Sequence, residues 1–399
     1  MTDATSQRLS SKRSRWPRQL TASLTLLWLA APHSSLAQEA KPTPRKGTAT
    51  TYQRAVDNAL SSYKNVDDGK NASYIPALAS VNPGLYGIAL VTVDGRVYEG
   101  GDARVEFAIE SAAKPFVLAR TMTDVGPEAV QERIGVNQTG QPFNSVIAME
   151  MLEDAKQPAS GNPFVNAGAI ATVDLLPASS LAQKWAAISD TLSAFAGREL
   201  TVNQTIYASE AATNTHNRGI ANLLKDYKVI QGDPMQALDL YTKQSSVNVT
   251  ARDMATMGAT LANAGRNPLT GKQVVPPEVA KHVLAVMATT GLYETTGAWL
   301  YEVGVPAKSG VGGGIVAVAP GRFAIGTFSP PLDQAGNSVR GQRAIASIVR
   351  ALDASMFAGR AAAQAQPEAR TGSHARLTPP PQAAAPPDRA AKLPAQPSP

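Results

Sequence analysis

The sequence predicts an α/β protein of the α+β type, in which strands from both ends of one domain form an antiparallel sheet beside a helical part. Two stretches, one early and one late, alternate β-branched and polar residues around a tight turn. Between them lies a long segment whose apolar residues recur every three or four positions, the spacing of helices. A parallel sheet would instead need strands that alternate with helices. The 399 residues are 43% hydrophobic, enough to bury a large core.

The two strand-forming stretches each predict a hairpin. The first, YGIALVTVDGRVYEGGD, contains Asp94-Gly95, a dipeptide typical of a tight hairpin turn. The second, GGIVAVAPGRFAIGTFSPPL, repeats the pattern around Pro320-Gly321. We therefore expect both hairpins to belong to the same sheet.

The segments with helical spacing lie between and after these hairpins. Apolar side chains at intervals of three and four residues form one face of a helix, which can then pack on the sheet. The predicted helical segments are 115–125, 143–152, 167–176, 188–197, 216–227, 237–244, 251–265, 277–291 and 342–357.

Both ends of the chain differ in composition from the middle. Residues 1–37 join a basic cluster to an apolar run of about a dozen residues and end in small side chains, the layout of a secretory signal peptide. We expect export to the periplasm or the medium, with no membrane attachment after cleavage. Residues 38–50 are predicted to be a linker, residues 51–358 the folded domain, and residues 359–399 a disordered tail rich in Pro and Ala.

Charge and residue usage exclude several classes of function. The net charge is +6, to which residues 1–37 contribute +4 and residues 360–399 contribute +3, so the middle is nearly neutral and has no basic stripe for nucleic acid. The chain has no Cys, which excludes a thiolate nucleophile. Beyond residue 37 only His216, His282 and His374 remain, too few for a multi-histidine metal site or a simple Ser-His-Asp triad.

The stretch FAIESAAKPF contains a candidate nucleophile and base, Ser111 and Lys114. In a helical turn these two side chains share a face, and burial would favour the neutral amine that can accept the serine proton. The spacing alone is weak evidence, because Ser61 and Lys64 have it too, in a polar stretch. The apolar flanks at 107–109 favour a packed turn for Ser111, whereas the alternative is the solvated first turn of an ordinary helix.

A second motif, Lys308-Ser309-Gly310, precedes the late hairpin. Ser-x-x-Lys followed by Lys-Ser/Thr-Gly on a strand is the signature set of penicillin-recognising serine enzymes. The glycines at 310 and 312–314 would allow a substrate to approach the backbone, and one N–H of this segment could stabilise an oxyanion. The alternative is a Gly-rich turn into a strand.

Several motifs together extend the comparison beyond this general class. YIPALA, ESAAKPF, FNS, NPFVNAGAI, SE with NR seven residues on, LYTKQSS, VTARDMATMGATLANAGRNP, GLYETTG and PAKSGVGGGI follow one another in the chain. In this order the sequence resembles the serine-dependent glutaminases of bacteria, a family related in fold to the β-lactamases and penicillin-binding proteins. The resemblance runs from about Tyr52 to Phe357.

The resemblance implies catalytic roles for four side chains. Ser111 would attack the side-chain carboxamide of L-glutamine, with Lys114 as its base. Tyr293 would pass a proton to the departing ammonia, and Tyr241 would line the site. The family also implies dimers or tetramers and chemistry without a metal or organic cofactor. The substrate-binding residues that it implies, including the oxyanion-hole N–H groups of Ser111 and Val311, are Tyr74, Ser111, Asn166, Glu210, Asn217, Tyr241, Tyr293 and Val311.

These residue types suit a free amino acid, which carries an ammonium and a carboxylate on one carbon. Glu210 supplies an anion for the ammonium, while Asn166, Asn217 and Tyr74 can donate to the carboxylate. Each has a simpler interpretation taken alone. Asparagines commonly cap helices, most glutamates are solvated, and a tyrosine can be merely a half-buried ring.

The leading hypothesis is therefore an exported L-glutaminase that works through a glutamyl ester on Ser111. A penicillin-binding or β-lactamase-like hydrolase is the alternative, and Glu210 discriminates because a β-lactam needs no counter-charge for an ammonium. A third hypothesis is a catalytically silent binding protein. It arises because Glu110 stands where the family commonly has glutamine, and an inward carboxylate could keep Lys114 protonated.

Overall fold

An antiparallel sheet of five strands lies at the centre of the computed structural model, which describes residues 49–358. The strands of the described chain are β1 (Gly87–Thr92), β2 (Val97–Gly101), β3 (Phe107–Ala108), β4 (Asn248–Val249), β5 (Ala307–Ser309), β6 (Gly314–Ala319) and β7 (Phe323–Phe328). The order in the sheet is β2-β1-β7-β6-β5, while β3 and β4 pair separately. The predicted signal peptide and tail, and nearly all of the predicted linker, lie outside the described residues.

Both predicted hairpins are confirmed, and they belong to the same sheet. Gly95 turns β1 into β2 with a φ of 85°, and Gly321 turns β6 into β7 with a φ of 71°. Glycine adopts this left-handed region without the steric cost of a Cβ atom. Because β1 pairs with β7, the early and late hairpins join edge to edge.

Two residues of the Lys-Ser-Gly motif lie on a strand, as the signature set implies, and the alternative of a Gly-rich turn is wrong for them. Lys308 and Ser309 belong to β5, a short strand ahead of the late hairpin. Ser309 pairs with Ile315 of β6. Because three residues are too few for a periodic pattern, apolar spacing alone does not predict this strand.

Helices make up most of the remaining described chain. They are α1 (Ala49–Tyr63), α2 (Pro76–Ala79), α3 (Lys114–Val125), α4 (Pro127–Arg133), α5 (Val146–Asp154), α6 (Asn166–Asp174), α7 (Leu181–Ala196), α8 (Gln204–Thr213), α9 (Thr215–Asp226), α10 (Pro234–Ser245), α11 (Ala251–Ala262), α12 (Pro277–Thr290), α13 (Thr296–Glu302) and α14 (Val339–Ala351). Short 3-10 turns cover Glu110–Ala113 and Tyr293–Thr295. No helix within residues 49–358 has the length and hydropathy needed to cross a bilayer.

Every predicted helical segment corresponds to one of these helices, but five helices were not predicted: α1, α2, α4, α8 and α13. Helix α1 begins at Ala49, two residues inside the predicted linker. Helix α8 buries only Ile206 and Glu210, so its apolar spacing is too sparse to recognise. The other three are seven residues or shorter.

Helices cover both faces of the sheet. Helix α11 packs on β7, β1 and β6, and Gly258 allows a close approach, because an added Cβ there would lie 2.6 Å from a methyl of Val316. Thr250 and Asp253 form a capping box at its start. On the other face, α1 and α14 pack together over the sheet.

A second group of helices builds the helical part that the sequence predicts. Helices α5, α6, α9 and α10 share an apolar cluster that includes Met149, Ile170, Ile220 and Tyr241. The turn Glu110–Ala113 contacts β5 and β6 of the sheet and α10 of the helical part. It therefore lies where the two parts of the domain meet.

Candidate active site

The predicted nucleophile lies in the 3-10 turn that leads directly into α3. Ser111 and Lys114 are both buried, with 6% and 2% of their surface exposed. The control pair with the same spacing, Ser61 and Lys64, is exposed at the end of α1. The packed turn expected from the apolar flanks of Ser111 is thus confirmed.

The amine of Lys114 points into the protein. Its Nζ donates to the backbone oxygen of Phe164 at 3.1 Å and to Oδ1 of Asn166 at 2.9 Å, and neither acceptor is charged. Burial lowers the pKa of Lys114 to about 7, and the nearby carboxyls of Glu210 and Glu110 offset only part of this shift. A large fraction of this lysine is therefore a neutral amine near pH 7.

Asn166 links the base to the rest of the site. Its Oδ1 accepts from Lys114 and also from the hydroxyl of Tyr241 at 3.1 Å. Its Nδ2 donates to Oδ1 of Asn217 on α9 at 3.0 Å, and its backbone N–H donates to the oxygen of Phe143 at 2.7 Å. The side chain makes no helix cap at the start of α6. The capping interpretation of this asparagine is therefore wrong.

Two tyrosines approach the nucleophile. Both side chains interact with Ser111, while the Tyr241 hydroxyl donates to Oδ1 of Asn166 at 3.1 Å and the Tyr293 hydroxyl to the backbone oxygen of Ser309 at 3.5 Å. Burial raises the pKa of Tyr293 to about 12 and the pKa of Tyr241 well above its ordinary value. Both phenols therefore keep their protons at neutral pH and can act as donors.

Two backbone N–H groups near the nucleophile lack an acceptor within residues 49–358. They belong to Ser111 and to Val311, which lies in the loop from β5 to β6. The loop itself is held by a 2.9 Å bond from Gly310 N–H to the oxygen of Gly314. Both residues line the same cavity, and unpaired N–H groups are what an oxyanion hole requires.

The glycines of this loop serve a different purpose from the one expected. An added Cβ at Gly310 would lie 2.5 Å from the oxygen of Ile109 and 3.0 Å from the nitrogen of Ala112. One at Gly312 would overlap the oxygen of Ala108. These glycines therefore let the loop approach the backbone around Ser111, rather than let a substrate approach the loop.

Two carboxyl groups share the site with the lysine. Glu110 and Glu210 are 3% and 7% exposed, and each has one buried oxygen without a hydrogen-bond partner in the described chain. Burial raises the pKa of Glu210 to about 8. Burial, together with the charge of Glu210, raises the pKa of Glu110 well above its ordinary value. Burial therefore favours the neutral carboxyl of Glu110, the form that does not stabilise a proton on Lys114.

A cavity of about 160 Å³ connects these groups. This volume is below the range of pockets for drug-sized ligands and suits a single small molecule. Lys114 and Tyr293 lie behind the cavity wall, and Tyr74, which is 56% exposed, lies at its mouth. The other predicted site residues that line it are Ser111, Asn166, Glu210, Asn217, Tyr241 and Val311.

Comparison with known proteins identifies the family. The sequence model of the family described as Glutaminase matches residues 69–357, most of the described chain. The chain belongs to the glutaminase family. Glutaminases are amidohydrolases, so the chain is classed as an enzyme that cleaves a linear amide.

Relatives and solved structures support the assignment over 70–100% of their own length. The glutaminase of Mycobacterium ulcerans is 50% identical, with 79% of this chain and 97% of the relative covered. That of Bordetella avium is 51% identical, covering 76% and 96%. The solved structure of the probable glutaminase ybaS is 46% identical with a TM-score of 0.76, covering 78% and 100%. Mglu in its glutamate form is 38% identical with a TM-score of 0.74, covering 77% and 70%.

The glutaminase family accounts for the fold as well. The described architecture, an antiparallel sheet flanked by helices with a helical part beside it, is the β-lactamase-like fold of these structural neighbours. The fold class predicted from the sequence is confirmed. No group of three or more His, Cys, Asp or Glu side chains within residues 49–358 is arranged to hold a metal ion.

Some cavity residues were not assigned a role from the sequence. Phe143 and Asn144 line the cavity, although the FNS motif that contains them was recognised. His216 and Asn214 line it too, and the His216 ring contacts the backbone oxygen of Asn144 at 2.7 Å. The FNS motif marks where Phe143 and Asn144 lie in the chain but does not indicate what they do, because Phe and Asn in a loop are compatible with packing alone.

Proposed function

We propose that this chain hydrolyses L-glutamine to L-glutamate and ammonia through a covalent glutamyl ester on Ser111. Membership of the glutaminase family supports the reaction. The observation that carries the mechanism is the state of Lys114, a buried amine whose two acceptors are both uncharged oxygens. A neutral amine has two N–H groups and one lone pair, so these contacts leave the lone pair for the Ser111 proton.

In the first step Lys114 takes the hydroxyl proton of Ser111, and Oγ bonds to the carboxamide carbon of the substrate. The carbonyl electrons move to oxygen, and the N–H groups of Ser111 and Val311 stabilise the charge that develops there. Both groups lack another acceptor in the described chain. They therefore need not break an existing bond when the tetrahedral intermediate forms.

In the second step the carbon–nitrogen bond breaks and ammonia leaves. Tyr293 donates its phenolic proton to the departing nitrogen. Lys114, which holds the proton taken from Ser111, then returns a proton to the Tyr293 phenolate. A water molecule, activated by the same neutral amine, then hydrolyses the ester and releases glutamate. The protonated state of Tyr293 at neutral pH, with its pKa at about 12, suits the role of donor.

The cavity provides for both charged groups of the amino acid. The unpartnered oxygen of Glu210 can accept from the substrate ammonium, and substrate charge would favour the ionised carboxylate. Hydrogen-bond donors for the substrate carboxylate are available along the cavity wall. They belong to Asn217, Asn166 and Tyr74. The similar structure of Mglu in its glutamate form supports an amino acid product in this kind of site.

The decisive experiment measures ammonia release by the purified protein given L-glutamine, L-asparagine or a chromogenic β-lactam. Ser111→Ala and Lys114→Ala are run beside Ser61→Ala and Lys64→Ala, which remove the exposed pair with the same spacing. We expect kcat with glutamine to fall at least about a thousandfold in the first two variants and to stay unchanged in the controls.

Trapping the intermediate completes the test. Mass spectrometry of the acid-quenched enzyme should show a glutamyl adduct on the peptide that contains Ser111. Retention of activity in Ser111→Ala would refute the serine mechanism while leaving the family assignment intact. Acylation by the β-lactam without glutamine hydrolysis would favour the alternative substrate class.

We also propose that residues 1–37 direct export and that the enzyme works as a homodimer or homotetramer. The sequence layout supports the first statement and the family resemblance the second. Cell fractionation with sequencing of the mature N-terminus tests export, and an N-terminus other than Gln38 would move the predicted cleavage site. Light scattering of the purified protein tests assembly, and a monomeric mass would refute the second statement.

A further inference from the structure

Lys308 carries a buried amine that the proposed reaction does not use. None of its surface is exposed, although burying a lysine is costly unless the amine is compensated. Its Nζ donates to the backbone oxygen of Ser309 at 2.7 Å and lies 4.2 Å from the centre of the Tyr293 ring. Burial, together with the charge of Lys114, lowers the pKa of Lys308 well below its ordinary value. The contacts of the amine are thus one carbonyl oxygen and one ring.

Regular secondary structure does little to hold the Tyr293 side chain. Tyr293 opens a 3-10 turn of three residues with a φ of 57°, in the left-handed region that is rare for residues other than glycine. Such a conformation persists only where surrounding contacts enforce it. Apart from Lys308, the ring packs on Phe143, with 4.8 Å between ring centres.

The backbone oxygen of Ser309 is shared by the lysine and the tyrosine. The bond from Lys308 is short, whereas the Tyr293 hydroxyl lies 3.5 Å from the same oxygen, at the limit of a hydrogen bond. The carbonyl oxygen has two lone pairs and accepts the lysine bond strongly and the tyrosine bond weakly. The long bond leaves the phenolic O–H free to turn toward Ser111, with which the Tyr293 side chain also interacts.

We propose that Lys308 is a positioning residue for Tyr293, packing on the phenol ring and competing for the Ser309 carbonyl so that the phenolic O–H is directed at the reacting atoms. This inference rests on the proposed role of Tyr293 as proton donor. Lys308 does not line the substrate cavity. It therefore acts through the tyrosine and does not bind the substrate directly.

A double-mutant cycle on the full-length enzyme tests the proposal. Lys308→Met, Tyr293→Phe and the double variant are compared with the unmodified chain by kcat and KM for L-glutamine, after circular dichroism confirms folding. Lys184→Met is the matched control, because Lys184 also donates to a backbone oxygen, that of Asp174 at 2.6 Å, but outside the site.

We expect Lys308→Met to lower kcat by about 10- to 100-fold with KM changed by less than about threefold. In the Tyr293→Phe background the same substitution should cost little further kcat, because the group on which Lys308 acts is already absent. The control should keep the kcat of the unmodified chain.

Three results would overturn the proposal. They are an undiminished kcat in Lys308→Met, a loss that adds in full to that of Tyr293→Phe, and unaltered activity in Tyr293→Phe itself. If Lys308→Met does not fold, Lys308→Gln is measured by the same criteria, and failure of both to fold would assign the lysine a structural role. Activity in Ser111→Ala would instead refute the serine mechanism, so the two failures are distinguishable.

Discussion

The amine of Lys114 and the side-chain oxygen of Asn166 lie 2.9 Å apart, in a bond that joins the start of α3 to the start of α6. The bond couples the proposed base to the wall of the substrate cavity. An uncharged acceptor keeps the pKa of the lysine low, whereas a carboxylate at the same place would raise it. The uncharged amide at position 166 therefore leaves the effect of burial on the base intact.

Replacing that amide by an acid should protonate the base. In Asn166→Asp the new carboxylate lies within hydrogen-bonding distance of the amine, so the pKa of Lys114 should rise by at least about one unit. The acid limb of the kcat/KM profile should move to higher pH by the same amount. Asn217→Asp, which contacts Asn166 but not Lys114, should move it less. Equal displacement in both variants would count against a direct effect on the lysine.

The unmodified enzyme should be limited by Lys114 at low pH. Because the base must be neutral and its pKa is about 7, kcat/KM should rise as the pH increases through 7. Glu210, with a pKa of about 8, should add a second rise as its carboxylate ionises to hold the ammonium. Initial rates of ammonia release between pH 5.5 and pH 9.5 give the profile. A rate that is independent of pH across this range would contradict a lysine base.

Glu110 should prove nearly dispensable. Its carboxyl is buried, and burial holds its pKa well above the ordinary value, so at neutral pH it resembles the amide that the family commonly has there. Glu110→Gln should keep kcat within about threefold at pH 7, because a buried neutral acid and its amide differ little in charge. A large gain in rate would instead show that Glu110 restrains Lys114, as the hypothesis of a silent binding protein assumes.

Much of the fold follows from local patterns in the sequence. The Asp94-Gly95 and Pro320-Gly321 dipeptides mark the hairpins because their turns need residues that tolerate left-handed or fixed backbone angles. Long helices such as α11 and α12 show clear apolar spacing. In contrast, α8 and β5 are defined by tertiary contacts, so a single-sequence pattern does not show them. The domain boundaries at 51 and 358 stay a prediction.

The site was predictable in its residues but less so in its contacts. Ser111 and Lys114 share one turn, so local spacing suffices to pair them. Tyr293 and Lys308 meet only because a 3-10 turn and an edge strand pack together, and no pattern in the sequence encodes that approach. The role of Gly310 was misread for the same reason, since its neighbour is backbone from a distant segment.

The ionised carboxylate of Glu210 should destabilise the folded protein while it is needed to bind the substrate ammonium. Its folded pKa of about 8 exceeds the ordinary value of 4.5, so the folded state binds more protons between these values and loses stability as the pH rises through this window. Glu210→Gln should therefore raise the melting temperature more at pH 8 than at pH 5. KM for glutamine should rise at least about tenfold, because the ammonium loses its charged partner.

Thermal unfolding at the two pH values, with steady-state kinetics, checks both parts of this prediction. Asp239→Asn on α10 is the control, because it removes a carboxylate that does not line the cavity. A melting temperature that responds equally at pH 5 and pH 8 would mean that the Glu210 carboxyl is not the source of the pH dependence.

Gly310 should control the distance between the loop and the nucleophile. In Gly310→Ala the new methyl meets the oxygen of Ile109 and the nitrogen of Ala112, and both are backbone atoms that cannot rotate away. The loop must move, and the N–H of Val311 moves with it, so kcat should fall by about 100-fold, the lower end of the cost of losing one oxyanion donor. Steady-state kinetics measures the loss.

The matched control for this substitution is Gly219→Ala on α9, where the methyl meets no atom within 4 Å. There the alanine should stabilise the helix by about 1 kcal/mol without altering kcat. If Gly310→Ala lowers the melting temperature but leaves kcat unchanged, the Val311 N–H does not stabilise the oxyanion. A fall in kcat with KM unchanged, absent from the control, would assign that N–H to the transition state, because binding of the ground-state substrate would then be intact.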